Sequence, residues 1–533
     1  MPMTNTTRWW VATVAVCTAL TACSSSTSDF RAAHPGKVDL STRAGTALTI
    51  TPDRMLAATG GLTPVAFGKP AHGTIAYGAN GSMIYTPDAG FAGTDELSVT
   101  ISRAVKTYAE NQLPLATIGG VAIKASAHGS GIAAVPGTSD EIYGLTDRGP
   151  NVGGRAPNER VFPVPDFQPQ IAKLKLADGV ATIERTIPLR GPDGSPLVGL
   201  VERQANTGES AVDLNGTPLP SSDYGVDPEG LVATRDGNFW ISDEYGPYLI
   251  HFDANGKELE RLSPFDGTLP KELSLRSPNR GMEGLTISPD GAMLAGIMQS
   301  ALQTPGLQGD AKSVPLARIV TVNVIDPQIV HEYLYPLANP QETDVSVSEI
   351  TALSATTFLV VERDSRAAPN ADKKIYTVDI AGATDVGPRS TVPGASYQAD
   401  RGGLLVNGVP IETTVGVGTD TDAVAKLRAA GITVATKTLK LDLEALLRTL
   451  SATGDFYGHD KIEGLLTPDG GKTLIVANDS DFGLAGLASA TPPMRLQPKV
   501  LPNGTQDNGE ILVVDTTALP PKTESVMVAI KVR

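Results

Sequence analysis

The chain has 533 residues, more than one ordinary compact core uses, so two domains or one large repeat architecture is expected. Its 55 glycines and 40 prolines, set against few aromatic residues, favour many short strands over long helices. The formal net charge is −15 and the chain has no basic tract, which argues against a nucleic-acid partner and means that an anionic substrate would need a bridging cation or a local arginine cluster.

The N-terminus has the pattern of an export signal. Arg8 is the only charge before a ten-residue apolar run that ends at Leu20, and this run is about half the length that spans a bilayer. "LTAC" at 20–23 resembles the lipobox of bacterial lipoproteins; the alternative is an ordinary signal with a chance cysteine. We therefore expect a signal peptide over 1–22, a flexible tether over 23–35, and an extracytoplasmic protein anchored to the bacterial membrane by a lipid on Cys23.

Residues 36–102 are predicted to form a small β-sandwich. Alternating apolar residues flank Asn80-Gly81, which is a strong hairpin signal. "GSMIYTPDAGFAGTDELSVTIS" resembles the closing strands of bacterial immunoglobulin-like (Ig-like) or cadherin-like surface modules. No chemical cluster is present, so a stalk or spacer is favoured over an active module. A polar linker is predicted over 103–115.

Five similar units follow in the remaining segment, 116–533, and each has an apolar strand, a turn and a second strand that ends in polar or charged residues. The units are GSGIAAVPGTSDEIYGLTDRGPN from Gly129, DPEGLVATRDGNFWISDEYGP from Asp227, NRGMEGLTISPDGAMLAGIMQS from Asn279, SEITALSATTFLVVERDSR from Ser348 and DKIEGLLTPDGGKTLIVANDSD from Asp460. Successive anchors lie 54 to 114 residues apart, which excludes the fixed short period of a solenoid and favours a β-propeller with long loops.

The predicted fold class is therefore all-β, a β-propeller preceded by an Ig-like β-sandwich. The two widest gaps between units leave room for further blades, so six or seven blades are possible and six are favoured. Helical spacing at 422–432 and 441–450 predicts an inserted helical segment.

Acidic residues recur in these units, and a propeller would bring equivalent residues of successive blades to one end of its channel. Carboxylates gathered in this way bind protons unless a cation neutralises them. An oxygen-only ligand set, without cysteine, favours calcium before magnesium. The alternative is that each acid caps the backbone of the next blade. The predicted metal ligands are Glu229, Glu283, Glu349, Glu463, Asp147 and Asp243.

Four basic residues recur near the same end: Arg148, Arg280, Arg363 and Lys461. Such cations match the oxygens of an anionic ester, so they are predicted to bind substrate; the alternative is that each pairs with an acidic neighbour. No G-x-S-x-G, H-E-x-x-H or P-loop motif is present. His128 and His459 are the candidate catalytic acids or bases, with a purely structural role as the alternative.

Six motifs together resemble the phytase-like family, also called esterase-like activity of phytase. They are "LTDRGPN", "DPEGL", "ISDEYGP", "NRGMEGL", "VVERD" and "KIEGL", in this order between Ile118 and Val514. The resemblance implies a β-propeller hydrolase that acts on an ester, a phosphoester first, with the assistance of calcium. It also implies that Glu229, Glu283 and Glu463 are rim or metal residues and that Asp147-Arg148 belong to the pocket. The first unit has Gly-Ser-Gly in place of the glutamate and the fourth has "SEIT", which argues against a fully symmetric metal cage.

Three functional hypotheses follow. The leading one is a monomeric, lipid-anchored hydrolase in which calcium at the channel mouth activates water while arginines hold an anionic small-molecule ester. The second is a lactonase of the gluconolactonase type, whose propellers also hold a divalent ion on channel carboxylates. The third is a non-enzymatic cell-surface binding propeller in which the ion is structural.

Overall fold

A computed structural model describes residues 38–205 and 208–533. The predicted signal peptide (1–22), the tether (23–35) and Cys23 lie outside the described residues.

The described chain forms the predicted β-propeller, but with five blades where six were favoured. Each blade is a four-stranded antiparallel sheet, and each inner strand contacts the inner strand of the next blade, with the fifth contacting the first. The strands, from the channel outwards, are Gly131–Ala134, Glu141–Leu145, Gln170–Ala177 and Val180–Pro188 in blade 1; Pro228–Ala233, Phe239–Asp243, Leu249–Phe252 and Glu258–Leu262 in blade 2; Met282–Ile287, Met293–Met298, Leu316–Asn323 and Val330–Pro336 in blade 3; Ser346–Ala352, Thr357–Arg363, Lys373–Asp379 and Thr436–Asp442 in blade 4; and Ile462–Leu466, Thr473–Asn478, Glu510–Asp515 and Val105–Glu110 in blade 5.

The sixth blade was predicted from wide gaps that the structure fills with insertions. Between the third and fourth strands of blade 4 lies a three-stranded sheet followed by helices Ile411–Val415 and Asp420–Ala429, and helix Leu443–Leu450 then leads to blade 5. The predicted helices at 422–432 and 441–450 are thus present. The side chain of Thr419 caps the N-terminus of helix Asp420–Ala429, and that of Asp442 caps helix Leu443–Leu450.

The remaining short elements cover the rims and the connections. They are strands Val152–Gly153, Glu159–Val161 and Ser210–Val212; Ala395–Gln398, Gly403–Val406 and Val409–Pro410; Leu484–Ser489 and Arg495–Pro498; Ala116–Ile118 and Val121–Ile123; and helix Pro340–Thr343.

The ring is closed by a strand that was predicted to be linker. Val105–Glu110 precedes blade 1 in the chain, yet it pairs antiparallel with Glu510–Asp515 as the outermost strand of blade 5. It also pairs with the outer strand of blade 1 at Val180 and Ala181. Segment 103–115 therefore belongs largely to the propeller, because its backbone groups complete the last sheet.

The Ig-like sandwich also differs from its predicted boundary, 36–102. One sheet orders Ser41–Thr42, Thr523–Val532, Gly93–Ser102 and Thr63–Phe67; the other orders Leu48–Ile50, Met83–Pro87 and Gly73–Tyr77, and helix Pro52–Ala58 joins them. The C-terminal strand was predicted to be part of the propeller. It pairs instead along the whole of Gly93–Ser102 and buries Val528, Ile530 and Val532, which alternate along it, in the sandwich core. Two chain segments therefore connect the sandwich to the propeller.

The glycine after the glutamate in "DPEGL" permits close contact between blades. A Cβ on Gly230 would overlap the backbone nitrogen of Leu285 in blade 3 and lie 2.6 Å from the hydroxyl of Ser242. We expect Gly230→Ala to lower the free energy of unfolding by about 1–3 kcal/mol, since backbone cannot yield as a flexible side chain can. Urea denaturation measures this change. Gly382→Ala is the control, because its Cβ would meet no heavy atom within 4 Å; equal stability of the two variants contradicts the prediction.

Candidate functional site

Three glutamates of the repeated units meet at one end of the propeller channel. In blades 2, 3 and 5 the pairing of the inner strand with its neighbour is interrupted at Glu229, Glu283 and Glu463, so each lies at a β-bulge. All three line one cavity of about 330 Å³. The structure thus brings together residues that the chain separates by up to 234 positions.

Glu349 does not join them. In blade 4 the interruption falls on Ser348, because Val347 pairs with Glu362 and Glu349 with Val361. Glu349 therefore occupies the position that is glycine in blades 2, 3 and 5. Its Oε1 accepts hydrogen bonds from the N–H groups of Ile350 at 2.8 Å and Leu285 at 3.1 Å, so it links the backbones of blades 3 and 4, the alternative considered for the inner-strand acids.

The two predicted aspartate ligands also separate. Asp147 lines the cavity. Asp243 does not: its Oδ1 accepts hydrogen bonds from the N–H of Tyr245 at 2.7 Å and that of Asp227 at 3.3 Å. Burial raises the pKa of Asp243 to about 7. Its contacts position Asp227 and hold the connection after the second strand of blade 2.

The tightest acidic cluster consists of Asp227, Glu229 and Glu244. One carboxylate oxygen of each lies within 4.8 Å of the others, and all three side chains are buried. The sequence analysis did not select Asp227 and Glu244 as candidate ligands, although both lie in the second repeated unit, in "DPEG" and "DEYG". Three buried oxygens here have no hydrogen-bond partner among the described residues: Asp227 Oδ2, Glu244 Oε1 and Glu283 Oε2.

The cluster is electrostatically unfavourable without a cation. Burial, followed by the charges of neighbouring carboxylates, raises the pKa of Glu229 and Glu244 well above the usual value. Burial and then the charge of Glu463 raise the pKa of Glu283 to about 8. Groups of this kind either hold protons or bind a positive ion that removes the repulsion. The unpartnered oxygens favour the second outcome, because a buried lone pair without a partner costs free energy that a ligand recovers.

Three of the four predicted substrate-binding cations are paired with acids. Arg363 forms an ion pair with Glu463 and lies 3.9 Å from Glu283. Lys461 Nζ lies 2.7 Å from Asp481 Oδ1 and 2.9 Å from Asp479 Oδ2.

Arg148 is held by four side chains. Nη1 donates to Tyr245 at 3.0 Å and Glu209 at 3.1 Å, Nη2 donates to Asn279 at 2.5 Å, and Nε lies 3.4 Å from Asp227 Oδ2. Arg280, the fourth predicted cation, lines the cavity and makes no hydrogen bond or ion pair within the described residues.

Neither candidate catalytic histidine lines the cavity. His128 is fully buried, with Nδ1 2.8 Å from Glu110 Oε2. His459 lies beside a different crevice, between the sandwich and blade 5, and both of its ring nitrogens meet carboxylates: Asp507 at 2.8 Å and Glu510 at 3.1 Å. Both histidines are buried and paired with carboxylates outside the cavity, so the structure places neither ring at the candidate site.

His459 should make stability depend on pH. Burial alone would lower its pKa, but Asp507 and Glu510 outweigh burial and raise it from 6.5 to about 9. The stabilisation is therefore fully present below pH 6.5 and lost as the pH rises through 9. We expect about 3 kcal/mol of the free energy of unfolding to disappear over this window, and His459→Gln to lack that loss. Urea denaturation at stepped pH measures it; parallel profiles for wild type and variant contradict the assignment.

Fold and site together define a five-bladed β-propeller with a carboxylate-rich cavity at one mouth of its channel. The family model called phytase-like, described as esterase-like activity of phytase, matches residues 127–482, so the chain belongs to the phytase-like family. A bacterial Ig domain model matches residues 31–112.

One curated relative, an "Uncharacterized secreted protein" of Arthroderma benhamiae, is 32% identical over 270 residues, which cover 41% of this chain and 50% of the relative. The chain thus spans about half the length of that relative. Within the described residues, no helix combines the length and apolar character needed to cross a membrane.

Two solved structures are similar only at the level of general architecture. A luciferin-regenerating enzyme is 10% identical, with 80% of this chain and 89% of that one covered and a TM-score of 0.27. The α-L-arabinofuranosidase of Podospora anserina is 10% identical, with 77% and 97% covered and a TM-score of 0.32. The propeller assignment rests on the strand pairing described above.

Proposed function

We propose that this protein is an extracytoplasmic hydrolase that acts on an ester with the help of a divalent cation held by Asp227, Glu229 and Glu244. Among esters a phosphoester is the preferred candidate, and among cations calcium is preferred to magnesium. The observation that carries the proposal is the convergence of three buried carboxylates, of which Glu244 has an oxygen, Oε1, without a hydrogen-bond partner among the described residues. Carboxylate oxygens are the ligands that a hard ion prefers. The family description, esterase-like activity of phytase, supports the reaction class.

The surrounding residues fix the ligands in place. Asp243 accepts the backbone N–H of Asp227, and the guanidinium of Arg148 lies against the Asp227 carboxylate. When bound, a divalent cation polarises an ester oxygen and lowers the pKa of a bound water. Glu283 Oε2 is buried, lines the same cavity and has no hydrogen-bond partner among the described residues, so in its ionised form this carboxylate would be the proton acceptor of the site.

The test combines metal binding with turnover. Calorimetric titration of purified protein with calcium and with magnesium is expected to show a bound ion. Assays on a phosphomonoester, phytate and a carboxyl ester are expected to show turnover that a chelator abolishes. A folded protein that binds neither ion and hydrolyses none of these substrates contradicts the proposal. Lactone opening without phosphate release would favour the lactonase instead.

We also propose that a lipid on Cys23 anchors the protein, as a monomer, to the bacterial envelope. The lipobox-like "LTAC" and the secreted character stated for the Arthroderma relative support an extracytoplasmic location. Cells that express Cys23→Ser are expected to release the protein into the soluble fraction. Membrane retention of this variant contradicts the anchor.

A further inference from the structure

One cation that lines the cavity forms no hydrogen bond or ion pair with another described residue. Five basic side chains line it, and four of them are held by acids; in addition to Arg148, Arg363 and Lys461, Arg160 has its Nε 3.5 Å from Glu209 Oε2. Arg280 is half-buried and is the exception among the residues that the structure describes.

The backbone holds Arg280 against the acidic cluster. A Cβ on Gly281 would overlap the carbonyl of Glu244, so this loop packs directly on the end of blade 2. Asn279 on the other side adopts a left-handed conformation with φ of 53° and accepts a hydrogen bond from Arg148. Burial raises the pKa of Glu244 and Glu283, and the charge of Arg280 opposes that rise, so the guanidinium lies within electrostatic reach of both.

The charges of the cavity limit what it can bind. Seven carboxyl and five cationic side chains line it, which leaves a formal charge of −2 when all are ionised. Glu209 and Asp479, which pair with three of these cations from outside the lining, add two further negative charges, so even with one divalent cation the site has no positive surplus for a polyanion. A single unpaired guanidinium matches two oxygens of a single oxyanion group in its planar fork.

We infer that Arg280 is the specificity-determining residue of this cavity and that the substrate is an ester with one oxyanion group, such as a phosphomonoester or phosphodiester with no further phosphate. This inference rests on the proposed function and narrows it: the cavity is built for a singly phosphorylated ester and against a polyphosphorylated one. The oxyanion would contact the held cation on one side and Arg280 on the other.

The test compares Arg280→Gln and Arg280→Lys with wild type in the presence of calcium. Arg235→Gln is the matched control, because Arg235 is exposed on the turn at the opposite end of the blade 2 hairpin. Inorganic phosphate binding is measured by calorimetry, and kinetics are measured with bis(p-nitrophenyl) phosphate, p-nitrophenyl acetate and phytate. We expect Arg280→Gln to weaken phosphate binding and to raise KM for the diester by about 10- to 100-fold, with partial rescue by lysine and no change for the neutral ester.

The outcomes separate this inference from the proposed function. Equal losses on the diester and on the neutral ester would make Arg280 structural and overturn the inference. Efficient hydrolysis of phytate by the wild type would also overturn it while leaving the hydrolase proposal intact. If calcium does not bind, the proposed function fails, and a phosphate affinity that still depends on Arg280 supports oxyanion recognition on its own.

Discussion

Replacement of Arg318 by methionine is expected to lower the free energy of unfolding by about 3–5 kcal/mol, or to prevent folding altogether. Arg318 lies in the third strand of blade 3 and is fully buried. Its guanidinium contacts Glu332 and Glu412, each at 2.7 Å, and lies 4.0 Å from Glu272. The variant would leave these three buried carboxyls without the one cation that lies within 4.0 Å of each of them in the described part of the chain.

The expected loss is large because the cluster joins separate parts of the chain. Glu332 belongs to the outer strand of blade 3, whereas Glu412 belongs to the first helix of the blade 4 insertion. Burial raises the pKa of both carboxyls even with Arg318 present. The charge of Glu272 raises both pKa values further, so without Arg318 these carboxyls must be protonated or be repelled by Glu272, and the deficit should be greater at pH 8 than at pH 5.

Urea denaturation of wild type and variant at both pH values measures this effect. Arg389→Met is the matched control, since Arg389 is exposed and donates only to a backbone carbonyl. The combined variant Arg318→Met, Glu332→Gln, Glu412→Gln is expected to recover part of the lost stability, because it removes two of the three stranded carboxyls and leaves only Glu272. A loss below about 1 kcal/mol in the single variant would show that the cluster is not a stabilising contact.

Much of the propeller could be predicted because its signal is local. Each hairpin has both of its strands and its turn within about twenty residues of sequence. In each blade that contains the Glu-Gly pair, the backbone geometry requires both residues. The glutamate lies at a bulge that faces the channel, and the glycine admits the next inner strand. The sequence therefore predicts that Glu229, Glu283 and Glu463 lie together at the mouth of the channel, and the structure places all three in one cavity.

The errors came from pairings that have no local signal. Val105–Glu110 and Thr523–Val532 find partners about 400 residues away, so neither the closing strand of blade 5 nor the last strand of the sandwich could be assigned from its own residues. Insertions between the strands of blade 4 fill the widest of the gaps between units, so that gap contains no sixth blade among the described residues.

The placement of the site residues likewise depends partly on local sequence and partly on contacts between distant segments. The sequence predicts that the glutamate of "SEIT" is equivalent to the glutamates of the other units, and this is wrong by one residue. The blades share the position of the β-bulge, and in blade 4 the bulge falls on Ser348. Glu244 directly follows Asp243 in sequence, yet only the fold shows that Glu244 faces the cluster while Asp243 accepts backbone N–H groups. His128 and His459 could not be assigned without knowing the acids that hold them.

Neutralising Glu229 is expected to have opposite effects on stability with and without calcium. Glu229→Gln removes one of three converging carboxylates, so calcium affinity should fall by at least about 100-fold, more than the loss typical of residues that only support a ligand. Ester turnover should fall with it. In the calcium-free protein the same variant should be more stable than wild type, because burial and then the charges of Glu283 and Asp227 disfavour an anion at this position, and glutamine carries none.

Thermal unfolding with and without calcium distinguishes this result from general damage. Wild type should gain about 2.7 kcal/mol of stability at a calcium concentration 100 times its dissociation constant, and Glu229→Gln should gain almost none. Glu349→Gln is the control, because Glu349 is also a buried inner-strand glutamate, and its carboxylate accepts hydrogen bonds from the backbone of blades 3 and 4. It should keep the calcium response whatever it does to stability. If both variants lost the calcium response equally, the loss would reflect general damage to the fold and not the removal of a ligand. If Glu229→Gln kept the response, calcium would bind elsewhere, and Asp227, Glu229 and Glu244 would not be its ligands.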